Sequence, residues 1–249
     1  MAGNVQDVIM CLGDSLTQKG WSEGGLIQRL SEAYIRKLDV LNRGFGGYQT
    51  DWAIQVLEQI FAKQHEQHHA PKVQLLTIWY GANDAAVDGD SQHVPVNRFK
   101  SNLKQMIDMI RSPASSWYSP DTRIVLITPP PVNTDMWNNH TRDFDRTREY
   151  AEAVKEVAQE TQLPVLDTWT ALYDAAGRTM GGCSNFLTDG LHLNSAGYEI
   201  IYGLLINAIA EHYPEIHCDK LQNVFIPWDQ VLSGDPRITL QKRNALVNR

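Results

Sequence analysis

The sequence predicts an α/β protein built on a parallel sheet of five strands. Three observations lead there. Five short apolar runs recur between Val8 and Trp169, stretches of helical period lie between them, and every gap is long enough for a crossover connection. The first run, Val8–Leu12, is β-branched in part and ends at Gly13-Asp14. Val40–Leu41 is shorter and stops before Asn42 and Gly44. A helical face follows in Trp52, Val56, Leu57, Ile60 and Phe61, and the third run, Val73–Trp79, ends before Gly81. Phe99, Leu103, Met106, Ile107 and Ile110, spaced 4, 3, 1 and 3, mark one face of the clearest helix. The fourth run, Ile124–Thr128, stops at Pro129-Pro130-Pro131, and the fifth is Val165–Trp169. Tyr198, Ile201, Tyr202, Leu205 and Ile209 form a last helical face behind a Ser195 cap. Residues 1–249 read as a single domain, with a polar, proline-containing extension from about Tyr213 to the end packing on it.

Composition narrows the function classes. The chain has 249 residues, 43% of them hydrophobic and 20% charged, enough apolar content for a sizeable core. Its net charge of −7 argues against a nucleic-acid partner, which calls for a basic face. The three cysteines, Cys11, Cys183 and Cys218, form no C-x-x-C pair, and Cys11 inside a strand reads as core packing. Met1–Asp7 lacks the basic flank and apolar stretch of a leader, and no run approaches the length of a membrane span. The expectation is a cytoplasmic protein with no membrane span, for which the sequon Asn139-His140-Thr141 stays unused.

In a parallel α/β sheet, ligands bind beyond the carboxyl ends of the strands. The residues at those ends here are Gly13-Asp14-Ser15, Gly44-Phe45-Gly46-Gly47, Gly81-Ala82-Asn83-Asp84 and Pro129-Pro130-Pro131. Ser15, Gly47 and Asn83 are therefore expected to be neighbours in space. A serine between a strand and a helix is presented on a sharp turn, and the helix end behind it favours a developing oxyanion. A base is needed, and His192 stands three residues after Asp189 with Gly190 between them. A carboxylate at that spacing can reach His Nδ1 within one loop. The Ser15 N–H, the Gly47 N–H and the Asn83 amide are candidate donors to the oxyanion. Trp52 is expected in the core. Trp21, Trp79 and Trp137 are placed towards the mouth of the site, and Tyr48, Trp79, Trp137 and Leu191 are candidate substrate contacts. Tyr48, Trp79, Tyr80 and the Pro129–Pro131 run are bulky enough to narrow an acyl slot.

Gly13-Asp14-Ser15-Leu16, the glycine turn ending at Gly47, Gly81-x-Asn83-Asp84 and Asp189-x-x-His192 resemble, in order, the four sequence blocks of the SGNH (GDSL) hydrolase family. Within it, Asp39–Phe45, Val94-Pro95-Val96, Thr188–His192 and Trp228–Leu232 are similar to stretches of isoamyl acetate-hydrolysing esterases. The resemblance implies a three-layer α/β/α, flavodoxin-like fold and a serine esterase acting on small acetate-type esters through an acyl-enzyme. It makes Ser15 the nucleophile, Asp189 and His192 its triad partners, and Gly47 and Asn83 the completion of the oxyanion hole. It implies no metal and no cofactor. The expected partner is a small-molecule ester, with self-association into a homo-oligomer left open. Alternatives are a lipase or deacetylase for other acyl groups, and a binding protein that retains the fold without turnover.

Three competing motifs fail on their own chemistry. His65-Glu66-Gln67-His68-His69 matches H-E-x-x-H, but Ala70-Pro71 ends any helix there and the surroundings are polar, so it reads as a solvated helix end. Gln49 takes the third-glycine place of a dinucleotide loop, and Thr17 takes the last glycine of a G-x-S-x-G elbow.

Overall fold

The structure, a computed structural model, describes residues 6–137, 139–232 and 234–247; most of the Met1–Asp7 segment lies outside them. The elements run β1 (Val8–Gly13), α1 (Ser15–Gln18), α2 (Leu26–Ala33), β2 (Asp39–Gly44), α3 (Thr50–Ile60), β3 (Val73–Trp79), α4 (Val96–Arg111), β4 (Arg123–Ile127), α5 (Phe144–Thr161), β5 (Val165–Leu166), α6 (Thr168–Ala175) and α7 (Ser195–His212). Two short helices follow, α8 (Trp228–Val231) and α9 (Pro236–Thr239). The five strands pair in parallel in the order β2-β1-β3-β4-β5.

Side-chain alternation along the strands makes the three layers. Ile9 and Cys11 of β1, with Leu75 of β3 and Val125 and Ile127 of β4, pack with α2, α6 and α7 through Ile27, Leu30, Leu172, Ile201 and Leu205. Met10 and Leu12, with Leu76, Ile78, Ile124 and Leu126, face α3, α4 and α5 through Leu57, Phe99, Met106, Tyr150 and Val157. Strands covered on both faces read as continuous apolar runs, which is why β1, β3 and β4 are legible in the sequence. Fully burying one such Leu or Ile contributes about 1.5–3 kcal/mol. Strand β2 lies at an edge and is only partly buried, so its apolar signal shrinks to Val40 and Leu41.

The structure moves some boundaries and adds elements. The fifth strand ends at Leu166, because the Asp167 side chain accepts from the Thr170 N–H and starts α6; Thr168 and Trp169 are helical. The cap of α7 is Asn194, whose side chain accepts from the Gly197 N–H, while Ser195 is the first helical residue. Trp52 is not core but 42% exposed: α3 buries Ala53, Ile54 and Leu57, and Trp52 falls off that face, edge-on to Tyr48. Beyond α7, the Tyr213 O–H donates to the Ile124 carbonyl, and Arg36 donates to the carbonyls of Phe225 and Ile226. Ile216, Leu221, Val224 and Ala245 are buried with the face that holds α7. No helix among the described residues is long and apolar enough to cross a membrane.

The strand order fixes where a ligand can sit. Chain progression reverses direction between β1 and β3, the place at which open α/β sheets bind their ligands beyond the carboxyl ends of the strands. Ser15 follows β1 and Asn83 follows β3.

Candidate active site

Ser15 is the first residue of α1, directly after the turn from β1. The first N–H groups of a helix have no intrahelical acceptor and point past its end, beside the serine hydroxyl. Asp14 caps this turn: its Oδ1 accepts from the Leu16 N–H at 2.8 Å.

His192 and Asp189 reach the serine from the loop before α7. Gly190 has φ +93°, and a Cβ there would stand 2.5 Å from the Asn133 carbonyl oxygen and 2.6 Å from the Trp137 nitrogen, so the turn requires glycine. Across that turn, Asp189 Oδ1 accepts from the N–H groups of Leu191 (3.0 Å) and His192 (2.8 Å), and Oδ2 lies 2.6 Å from His192 Nδ1. Burial works to raise the Asp189 carboxyl, but the His192 N–H, its ring and the Leu191 N–H together hold it below the usual carboxylate range. An ionised carboxylate can only accept, so it holds a proton on Nδ1, and in the neutral ring Nε2 is then the acceptor. Nε2 is 2.9 Å from Ser15 Oγ, across 177 positions of sequence. Ser15 Oγ, His192 and Asp189 therefore form one hydrogen-bonded line able to take a proton off the hydroxyl as it attacks.

Two further loops carry the other candidate donors and are tied to each other. Gly47 has φ +80°, the left-handed region in which glycine is unstrained. Asn83 is buried, and its Nδ2 donates to the Tyr48 carbonyl at 2.8 Å, leaving the second amide hydrogen uncommitted by that bond. Asp84 ties the two loops together: its Oδ1 accepts from both the N–H (2.9 Å) and the hydroxyl (2.5 Å) of Thr50 at the start of α3. Gln49, the residue that breaks the dinucleotide pattern, caps α3 by accepting from the Asp51 N–H.

The candidate substrate contacts divide. Trp137 stands edge-on to His192 with ring centroids 6.1 Å apart, and its indole N–H donates to Thr141 Oγ1. Tyr48 stacks on Phe45 and lines a shallow outer depression of about 380 Å³ with Trp52, Gln55 and Val56. Trp79 is not at the mouth: it is 1% exposed within the α2, α6 and α7 layer, and its indole N–H donates to the Thr128 carbonyl. Being a strand residue rather than a loop residue, it points into a face of the sheet. Leu191 is 4% exposed in the same layer, so its side chain supports the loop from inside and is not an open wall. Tyr80 and Pro129–Pro131 are buried too and cannot narrow an exposed slot. The His65–His69 segment is not a helix end: a turn runs into a single 3-10 turn, Gln67–His69, which does not stack His65 and His69 as an α-helix would. The sequence reading passes over Gln92 and Arg142 and names Asp84 only within the family block, without a role; all three are polar supports whose partners are distant in sequence.

Asp14 and Asp84 lie fully buried behind the serine, and an oxygen of each, Oδ2, has no partner among the described residues. Burial pushes the Asp14 carboxyl up to about 7 and the Asp84 carboxyl up to about 6. A carboxyl raised above its unfolded value of 3.8 contributes stability that is complete below that pH and is lost as the pH climbs through its folded value. Asp14→Asn removes one such titration while keeping a capping oxygen for the Leu16 N–H. Relative to the native chain, this variant is expected to be better tolerated at about pH 8 than at about pH 5 in denaturant unfolding. An identical stability difference at both pH values would mean that Asp14 does not titrate in that interval.

Known proteins match this sequence and fold. Residues 11–200 match the model of the GDSL-like lipase/acylhydrolase family. The isoamyl acetate-hydrolyzing esterase 1 homolog of Bos taurus is 36% identical over 93% of this chain and 91% of its own length. The isoamyl acetate-hydrolyzing esterase of Saccharomyces cerevisiae is 30% identical over 92% and 97%. Among solved structures, a lipase/acylhydrolase from Enterococcus faecalis superposes with a TM-score of 0.61 at 27% identity, covering 83% of this chain and 96% of that one. With the family blocks filled and the layers in the family's order, this chain belongs to the GDSL-like lipase/acylhydrolase family and is a carboxylic ester hydrolase.

Proposed function

We propose that the protein hydrolyses small, acetate-type esters of apolar alcohols with Ser15 as nucleophile. In this reading His192 Nε2 takes the Ser15 proton while Oγ bonds to the ester carbonyl carbon, and the carbonyl oxygen becomes the oxyanion. The Ser15 N–H, the Gly47 N–H and Asn83 Nδ2 hold that oxyanion. The tetrahedral species collapses with the alcohol leaving, protonated by His192, and an acyl-Ser15 remains. Water, deprotonated by His192, then attacks the acyl carbon and releases the carboxylic acid and Ser15. Asp189 keeps the Nδ1 proton in place and stabilises the imidazolium throughout. The single observation that carries the reading is the 2.9 Å and 2.6 Å line from Ser15 Oγ through His192 to Asp189. Three buried, unpaired thiols, Cys11, Cys183 and Cys218, fit a reducing cytoplasm, and the small lipophilic esters of lipid breakdown fit the substrate class.

Substrate size rests on the relatives named for acetate esters and on Trp137 beside His192, which restricts the space next to the base. Each methylene that fits an apolar wall is worth about 0.8 kcal/mol, roughly fourfold in binding, and each that does not fit is excluded. In a chain-length series on the purified protein, kcat/KM for acetyl to hexanoyl esters is expected to exceed that for dodecanoyl and longer esters by about an order of magnitude or more. A profile climbing steadily to long chains would mark a lipase-like groove and overturn the small-ester assignment.

A further inference from the structure

We infer that Arg142 is the positioning residue of the oxyanion hole, fixing the Asn83 amide directly and the Gly47 peptide through Gln92. The inference rests on the roles proposed above for Asn83 and Gly47. Arg142 lies just before α5, far in sequence from the Gly47 and Asn83 loops, yet it is only 5% exposed. Its guanidinium is spread over four acceptors. Nε donates to the Ala82 carbonyl (2.7 Å), Nη1 to the Thr141 carbonyl (3.0 Å), and Nη2 to both Asn83 Oδ1 (2.9 Å) and Gln92 Oε1 (2.7 Å).

The chemistry of these partners dictates the orientation of Asn83. An amide side chain has two ends of nearly equal shape, and only its partners decide which end faces the substrate. Arginine can only donate, so the atom facing it must be the oxygen. The Tyr48 carbonyl can only accept, so the atom facing it must be the nitrogen. Between them the amide cannot turn over without setting donor against donor and acceptor against acceptor. The hydrogen of Nδ2 not used by Tyr48 is thereby the one left for the site.

The same Nη2 reaches the second loop through Gln92. With its Oε1 held by Arg142, Gln92 must present Nε2 on its other side, and Nε2 donates to the Gly47 carbonyl at 2.8 Å. That bond holds the peptide that follows Gly47 and so braces the residue whose N–H is the proposed donor. A Cβ at residue 47 would stand 3.2 Å from the same Gln92 nitrogen, which shows how closely the amide seats against the turn. Burial lowers the guanidinium pKa, while the nearby carboxylates Asp90, Asp14 and Asp84 favour its charged form. One buried cation thus orients one proposed donor directly and braces the turn that carries a second, and preorganised donors are what a low-dielectric oxyanion site requires.

Arg142→Lys tests the role, because an ammonium supplies a point charge without the planar fork. With the fold verified by thermal unfolding, kcat is expected to fall about 10–100-fold while KM stays within about threefold. In an Asn83→Ala background the same substitution is expected to cost less than about a fifth of that factor, since the group it holds directly is gone and only the weaker branch through Gln92 remains. A kcat within about twofold of the native value, a KM that rises as much as kcat falls, or a full additive loss in the Asn83→Ala background would each overturn the proposal. Should the lysine variant fail to fold, Gln92→Ala carries the test: kcat is expected to fall about 3–10-fold at near-constant KM, and an unchanged kcat overturns the role. These outcomes are separable from the Ser15 assignment. An active Ser15→Ala removes the site itself, whereas an inactive Ser15→Ala beside a fully active Arg142→Lys removes only the positioning role.

Discussion

Ser15→Ala is expected to lower kcat by about 10⁴-fold or more while leaving the unfolding transition where it was. The size follows from the loss of the covalent route: without Oγ no acyl-enzyme forms, and His192 and Asp189 have no nucleophile to serve. Residual turnover comes from water meeting a substrate held by the oxyanion donors alone. The small effect on stability follows from the position. Ser15 is only half-buried, its hydroxyl bonds to the His192 ring, and the cap of α1 belongs to Asp14. Steady-state hydrolysis of a short-chain ester, with fluorophosphonate labelling of both proteins, measures it. The native chain is expected to be labelled at Ser15 and the variant to be unlabelled. A variant retaining about a tenth of the native rate, or a native chain that resists labelling, would take Ser15 out of the mechanism.

The parts of the fold that the sequence makes legible are those with a local cause. Strands β1, β3 and β4 are covered on both faces and stand out as unbroken apolar runs. Helix α4 buries a clean stripe from Phe99 to Ile110. Asp189 and His192 share a turn and are legible as partners from their spacing, while the expectation that Ser15, Gly47 and Asn83 are neighbours comes from a parallel sheet gathering its strand-end loops on one edge. Where a residue's fate depends on a neighbour from another part of the chain, that reasoning fails. Trp79 and Trp137 are equally bulky and both precede polar loop residues, yet one is buried in a strand and the other stands beside His192. Trp52 shows the same limit, since a shift of one position along α3 decides whether it meets the sheet or solvent. Arg142 is the extreme case: it contacts Ala82, Asn83 and Gln92 across 50 or more positions, and no periodicity or spacing marks it.

Asn83→Ala is expected to lower kcat by about 10²–10³-fold with a much smaller change in KM. In the ground state an ester carbonyl is a weak acceptor, and losing one donor to it costs little. In the transition state that oxygen carries nearly a full charge in a site where water is displaced, and the same donor is then worth about 2.7–4 kcal/mol. The asymmetry is enhanced because Asn83 does not reorganise to meet the charge. The Tyr48 carbonyl and the Arg142 guanidinium hold both ends of its amide beforehand. The substitution also frees Arg142 and the Tyr48 carbonyl from a buried partner, so some loss of stability is expected, on the order of 1–3 kcal/mol. Activity is therefore measured well below the variant's own unfolding temperature, where the folded fraction is complete and kcat reports chemistry alone. An equal rise in KM at unchanged kcat would make Asn83 a ground-state contact. Retention of full kcat would leave the oxyanion to the Ser15 and Gly47 N–H groups, and the buried arginine behind Asn83 would then hold the loop without serving the reaction.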